Sequence, residues 1–306
     1  MMASNPVIID RDLLRIRLRR AQVLGRSMFL IDRVAEDLAD RLASVLRTFG
    51  CGIDLGTPTD ALRRMLARAG KVDTLIAAHA LAGDALVQGK GGEAGLAVAA
   101  DAEALPLRDG ALDLVVSALA LHFVNDLPGT LVQIRRALRP DGLFLAALLG
   151  GDTLTELRQA FAAAEAEMED GLSPRVLPFA DLRDLGALLQ RAGFTLPVTD
   201  VDRLTVRYAS PLALMQDLRR MGATNPLVDR RRRPLRRATL ARMLEIYAQR
   251  FADPDGRIRA TFEIVFLSGW APHESQQQPL APGSARTRLA DALGTRERSA
   301  GEKAGR

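Results

Sequence analysis

The chain has almost nothing from which to build a metal centre or a disulfide framework. Its 306 residues include one cysteine, Cys51, and three histidines, His79, His122 and His273. A lone thiol cannot pair within the chain, which fits a reducing compartment. The histidines are scattered and show no ligand spacing, so no metal site is expected. Aromatic residues make up only 4%, so the core must be aliphatic, drawn mostly from Leu, Ala and Val. No stretch reaches the roughly 18 apolar residues that a membrane-spanning helix needs. The start lacks an apolar signal core with a small-residue cleavage site. It mixes Asp10 and Asp12 with Arg11, Arg15 and Arg17, whereas a transit peptide would be poor in acids. A cytoplasmic location is expected, with basic segments that offer peripheral attachment to the inner membrane.

Hydrophobic residues make up 48% of the chain, enough for a sizeable core in one large domain or two modest ones. The net charge is +5 and the excess is mostly arginine, clustered rather than spread. A mild basic excess serves solubility, and a clustered one also suits an acidic partner or a membrane face.

Residues 1–46 read as helical, with Val34, Leu38, Leu42 and Leu46 at helical spacing. From residue 47 strands and helices alternate. Strands are expected at Cys51–Leu55, Val72–Ala78, Gly95–Ala100, Leu112–Leu119 and Leu143–Leu149. Helices are expected from Pro58 and from Pro128, and Gly89, Gly91 and Gly92 mark a turn. Arg139-Pro140-Asp141-Gly142 is a turn by composition. The run LDLVVSAL is nearly all apolar, as a strand covered on both faces should be. Further helices are expected at Leu154–Met168, Phe179–Ala192, Pro211–Met221 and Pro234–Phe251. Strands at Val198–Tyr208 and Ala260–Trp270 would extend the sheet, one of them antiparallel. The fold class is α/β: a doubly wound, mostly parallel, seven-stranded sheet, with N-terminal helices and a C-terminal helical insertion. A domain over 47–275 would divide near residue 150 into a cofactor half and a substrate or partner half. The tail over 276–306 reads as disordered.

Ligands of such sheets bind at the carboxyl ends of the strands. Three loops fall there: Asp54 to Asp60, Ala100 to Pro106, and Ser117 to Asp126. An acidic loop, the step Leu105-Pro106-Leu107, the strand that follows and Leu121-His122-Phe123-Val124-Asn125-Asp126-Leu127-Pro128 together resemble the class I S-adenosylmethionine (AdoMet) methyltransferases. The resemblance extends through Gly150-Gly151-Asp152-Thr153-Leu154, Ser173-Pro174, Arg191-Ala192-Gly193-Phe194, Leu214-Met215-Gln216-Asp217-Leu218 and His273-Glu274-Ser275-Gln276. Over roughly 8–290 the chain is similar to the methyltransferase-like assembly factors of respiratory complex I. That resemblance implies a Rossmann-like fold, AdoMet as cofactor, a complex I subunit as partner and hydroxylation of an arginine on it. Methyl transfer to a small molecule or acyl carrier, and a non-catalytic assembly scaffold, are the alternatives.

The first loop departs from the family pattern. Asp54 and Gly56 match, but Pro58 and Asp60 stand where further glycines are usual. Thr57 is suited to cap a helix with Pro58 at its first position, and Asp60 to favour the helix dipole. His79 stands where an acidic residue would bind the ribose hydroxyls, and it can donate only a single hydrogen bond in its place. The resemblance assigns Asp101 to the adenine, and the cofactor set becomes Asp54, Gly56, Thr57, His79, Asp101, Ala102, Ala118 and Leu119. His122 is a candidate general base, or a loop histidine that packs. Asp152 is a candidate carboxylate for a cationic target, or the N-cap of the helix that follows. Cys51 reads as a small core residue. The run Asp229 to Arg237 holds six arginines in eight positions from Arg230. It suits an acidic protein or membrane surface, or is simply a solvated helix start. Too few tyrosines stand near it for nucleic acid to be expected. The basic, amphipathic helix from Asp10 to Val23 would lie on a membrane, dock a partner or pack over the cofactor pocket.

Overall fold

The computed structural model describes residues 7–80, 96–277, 284 and 287–296. They fall into two compact units, Met1–Pro272 and His273–Arg306. The first unit opens with helices α1 (Arg11–Val23) and α2 (Phe29–Ala43). Strand β1 (Phe49–Leu55), helix α3 (Ala61–Ala69), β2 (Val72–His79), β3 (Ala97–Ala99) and β4 (Leu112–Ala118) follow. Helix α4 (Leu127–Ala137) leads into β5 (Leu138–Leu149). Then come α5 (Thr155–Met168), α6 (Leu182–Arg191), β6 (Thr195–Tyr208), α7 (Pro211–Met221), α8 (Arg237–Phe251) and β7 (Ile258–Trp270). The second unit holds α9 (Leu289–Ala292).

The sheet has seven strands in the order β3-β2-β1-β4-β5-β7-β6. The first five pair in parallel, β7 runs antiparallel to β5, and β6 runs antiparallel to β7. The expected fold class is therefore the observed one, with α7 and α8 inserted between the last two strands. Strand order reverses between β1 and β4, so a crevice opens beyond their carboxyl ends. Leu114 and Val116 on β4 join the core on one face of the sheet, and Val115 joins the other. That two-sided burial explains the unbroken apolar run.

Local chemistry sets the element ends. In α2, Leu30, Val34, Leu38 and Leu42 recur on one face and are buried. Asp126 caps α4 by accepting from the Gly129 amide, and Ser210 caps α7 ahead of Pro211. Gly193 follows α6 with φ +86°, a value that favours glycine.

Four expectations shift. Residues 139–142 do not form a turn between elements. They belong to β5, where an irregularity in its pairing with β4 is absorbed by Asp141 at φ +63°. Helix α3 begins at Ala61, so neither Thr57 nor Pro58 starts it. Asp152 does not cap α5, because Leu154 turns the chain at φ +55° and the helix begins one residue later. Helix α8 begins at Arg237, leaving Arg230–Arg236 outside it. Cys51 is half-buried on β1. The glycines at 89–92, Gly95 and most of the expected disordered tail lie outside the described residues. No helix among the described residues is long and apolar enough to cross a membrane.

Candidate functional site

A cavity of about 570 Å³ opens beyond the ends of β1, β2 and β4. Its volume is that of a small-molecule site. Leu55, Gly56, His79, Ala100, Ala102 and Leu119 line it from the strand ends. Val176, Leu177 and Phe179 line it from the segment after α5.

The first loop is built by Asp54 and Thr57 rather than by glycines. Asp54 is wholly buried. It accepts from the Thr57 hydroxyl and from Arg63 Nη1 at 2.8 Å. Burial pushes its pKa up to about 6, against the pull of the Arg63 charge and the Thr57 hydrogen bond. Thr57 Oγ1 also accepts from the Ala118 amide at 3.0 Å, tying the loop to the end of β4. The threonine side chain is thus spent on the sheet, which is why it cannot cap α3. Gly56 sits at φ +75° with only Ala120 within 4 Å of where a Cβ would be. The backbone there stays open to the cavity while Pro58 and Thr59 add bulk beside it.

Gly56, His79, Ala102, Leu119 and His122 line the cavity. Asp54, Thr57 and Ala118 are buried behind it. Leu119 adopts φ +52° and donates its amide to the Ala147 carbonyl at 2.8 Å. Asp101 stands at the edge, where Arg11 Nη2 reaches it at 2.6 Å and the Glu103 amide at 2.9 Å. Burial works against its charge, but the Arg11 hydrogen bond leads the interactions that hold its carboxyl below the usual range.

His122 lies with its ring 4.1 Å from that of Phe123 and 5.7 Å from that of Phe179, edge-on to the latter. Its Nδ1 is buried and meets no hydrogen-bond partner among the described residues. Burial pushes its pKa down to about 3, so the ring is neutral near pH 7. A group of such low basicity is a poor general base but a good neutral hydrogen-bonding group. Asp152 lies outside the cavity, paired with Arg203, which also holds Glu263 at 3.0 Å. This pairing places it against β6 and β7, away from the other candidates. No group of three or more candidate metal ligands occurs among the described residues.

The residue pattern did not show that α1 forms one wall of the cavity, through Arg11, Leu14, Arg15, Arg17 and Leu18. The chain before it is pinned from three directions. Asn125 Oδ1 accepts from the Ile8 and Ile9 amides at 2.9 and 2.7 Å. The Asp10 amide donates to the Pro226 carbonyl at 2.8 Å, and Ile9 bridges Leu227. The alternative of packing over the pocket is the one realised. Arg175 also lines the cavity, held by the buried Glu165 and set 5.4 Å over the Phe161 ring. The Asn125 signal was visible in LHFVND, but its partners more than a hundred residues away were not.

Residues 48–146 match the family described as methyltransferase domain. The chain is 37% identical over 264 residues to arginine-hydroxylase NDUFAF5, mitochondrial, of Danio rerio, across 86% of this chain and 81% of that protein. It is 41% identical over 182 residues to a malonyl-acyl-carrier-protein O-methyltransferase of Gallionella capsiferriformans, across 60% of each chain. Among solved structures, the YcgJ protein of Bacillus subtilis shares the fold with a TM-score of 0.53 at 16% identity, over 78% of this chain and 98% of that one. The similarity to the hydroxylase runs through both halves of the first unit, well past the matched methyltransferase domain. By that extent, this chain belongs to the family of the arginine-hydroxylase NDUFAF5, built on a class I methyltransferase fold.

Proposed function

We propose that this protein modifies an arginine side chain on a subunit of respiratory complex I, by hydroxylation, with AdoMet as the bound cofactor. The observation that carries the reading is the similarity to the hydroxylase over 86% of this chain and 81% of that protein. The cavity fits the cofactor in two respects. Gly56 leaves its backbone open at φ +75°, and the buried Nδ1 of His122 lacks a partner among the described residues. In this reading Gly56 and Leu119 admit the methionine part, His79 meets the ribose, and Asp101 with Ala102 flanks the adenine. Asp54, Thr57 and Ala118 brace the loop from behind. His122 stays neutral and offers a hydrogen bond rather than taking a proton. AdoMet, when bound, supplies an electrophilic methyl group; the hydroxyl oxygen would come from dioxygen, with an external two-electron donor reducing the second oxygen atom to water. The fold leaves open which chemistry the site performs. The exposed Arg232, Arg233 and Arg237 give a basic edge for an acidic subunit or membrane surface, at a cytoplasmic location. Arg230 is already paired with Asp10, and Arg231 and Arg236 with Glu169.

Calorimetry with AdoMet tests the cofactor, and heat of binding is expected. No binding at millimolar AdoMet leaves the assembly scaffold. Mass spectrometry of complex I subunits from wild-type and deletion strains then reads the reaction. One oxygen on an arginine, lost in the deletion strain, is the expected result. An unmodified arginine in wild type removes the hydroxylase reading and favours methyl transfer to a small molecule or acyl carrier.

A further inference from the structure

Ten arginines line the cavity, and no aspartate or glutamate lines it among the described residues. Half of them are neutralised from outside. Asp101 and Glu103 hold Arg11, Asp12 holds Arg15, and Glu165 holds Arg175. Asp10 holds Arg230 and Glu169 holds Arg231. Arg220 donates to the Gly25 carbonyl at 2.8 Å. Arg17, Arg20 and Arg219 are different. None has a carboxylate oxygen within 4.0 Å among the described residues.

Arg17 is the most informative of the three. Its Nη1 is buried and no atom among the described residues accepts from it. Burial opposes its charge, and Arg230 and Arg20 add like-charge repulsion that Asp10 only partly offsets. A buried N–H of a guanidinium without an acceptor is unfavourable, and buried polar groups are almost always satisfied. Arg20 and Arg219 are exposed and also line the cavity. Helices α1 and α7 hold all three, and they pack together where Leu18 closes on Gly222. The cavity also has apolar walls, with Leu14, Leu30, Phe161, Leu177, Phe179 and Phe262 among them. Uncompensated guanidinium groups beside an apolar chamber match one ligand class.

We propose that the cavity binds an amphiphilic anion: an acidic group held by Arg17, Arg20 and Arg219, joined to an apolar body held against Leu14, Leu30, Phe161 and Phe262, beside the strand ends assigned to AdoMet. The target guanidinium of the function proposed above could not occupy this end, because it would add to the repulsion. A polypeptide substrate would have to present acidic and apolar side chains here. A free acid with an acyl chain would satisfy the same groups directly. The inference rests on the cavity alone and does not require AdoMet.

Two fluorescent probes test it on the full chain. 8-Anilinonaphthalene-1-sulfonate carries an anion on an apolar body, and N-phenyl-1-naphthylamine has a similar body without charge. The sulfonate is expected to bind at one site, at least tenfold tighter than the neutral probe. Arg17→Gln should weaken it about tenfold or more and leave the neutral probe unchanged. Arg219→Gln, at an exposed position, should weaken it in the same sense and carries the test if Arg17→Gln fails to fold by circular dichroism. Equal affinity for the two probes, or no loss in a folded variant, overturns the proposal. Saturating AdoMet should leave the sulfonate bound. Displacement by AdoMet would give the arginines to the cofactor's carboxylate and overturns the proposal too. Competition identifies the natural source: displacement by dodecanoate supports a free acid, and displacement by a Glu- and Leu-rich peptide supports a polypeptide. Displacement by neither overturns the proposal. All these readouts stand even if AdoMet does not bind, so failure here and failure of the proposed function are distinguishable.

Discussion

Asp54→Asn separates two forces that meet at one carboxylate. Burial disfavours the charge of Asp54, while Arg63 at 2.8 Å and the Thr57 hydroxyl favour it. Burial prevails and moves the pKa from 3.8 to about 6. A carboxyl whose folded pKa is raised binds its proton more readily in the folded chain. Its contribution to stability is therefore full below the unfolded value of 3.8 and is lost as pH rises through about 6. Between pH 7 and pH 4.5 the wild type should gain about 2 kcal/mol from this group alone. Asparagine does not titrate, so Asp54→Asn gains nothing over the same range. The stability of wild type minus variant, read from guanidinium unfolding at each pH, should rise by about 2 kcal/mol on acidification. The absolute difference at one pH is less informative, because the variant also removes the Arg63–Asp54 ion pair. A difference that stays flat or shrinks as pH falls would mean the Arg63 ion pair outweighs burial, and the account of the loop would fail.

His122→Gln should show the opposite trend, since a histidine with pKa near 3 is stable only while uncharged and loses stability as pH falls below 6.5. By pH 4.5 the wild type should lose about 2–3 kcal/mol relative to the variant, a shift that partly hides the Asp54 effect unless each variant is melted separately. Thr57→Val deprives the Asp54 carboxylate of a donor and the Ala118 amide of an acceptor. It should cost about 2–4 kcal/mol in urea unfolding, with Thr57→Ser recovering most of it. Gly56→Ala forces a side chain into φ +75° and brings its methyl to 3.1 Å from that of Ala120. A cost of about 1–2 kcal/mol and weaker AdoMet binding by calorimetry are expected, and wild-type behaviour in both would show the open backbone is not needed.

The fold was legible because its signals are local and redundant. Pure apolar runs marked the strands, and Pro128 and Pro211 marked helix starts. The site was legible only in outline. Thr57 read as a cap because its true partners are a carboxylate three residues earlier and an amide at Ala118. Asp152 read as a substrate carboxylate or a cap because Arg203, on a strand formed much later in the chain, could not be foreseen as its partner. Arg139-Pro140-Asp141-Gly142 has turn composition, but pairing of Leu138 with Leu112 draws it into β5. The basic face of α1 was evident from the arginines, while its position against the cavity depends on Asn125, Pro226 and Leu227. Those contacts join residues more than a hundred positions apart, two of them more than two hundred, and no periodicity encodes them.

The bridge between Ile9 and Leu227 also sets an order of events during synthesis. Chains emerge from the ribosome amino end first, and early segments fold as they appear. Here Asp101, Glu103 and Asn125 can hold the start of α1 early, but its wall is not complete until α7 and Leu227 have been made. Helix α1 precedes the sheet in the chain and is therefore made early yet fully seated late. Until then Arg17 stays hydrated and the apolar chamber stands open, so a nascent chain arrested before residue 227 would have its parallel strands but no enclosed cavity.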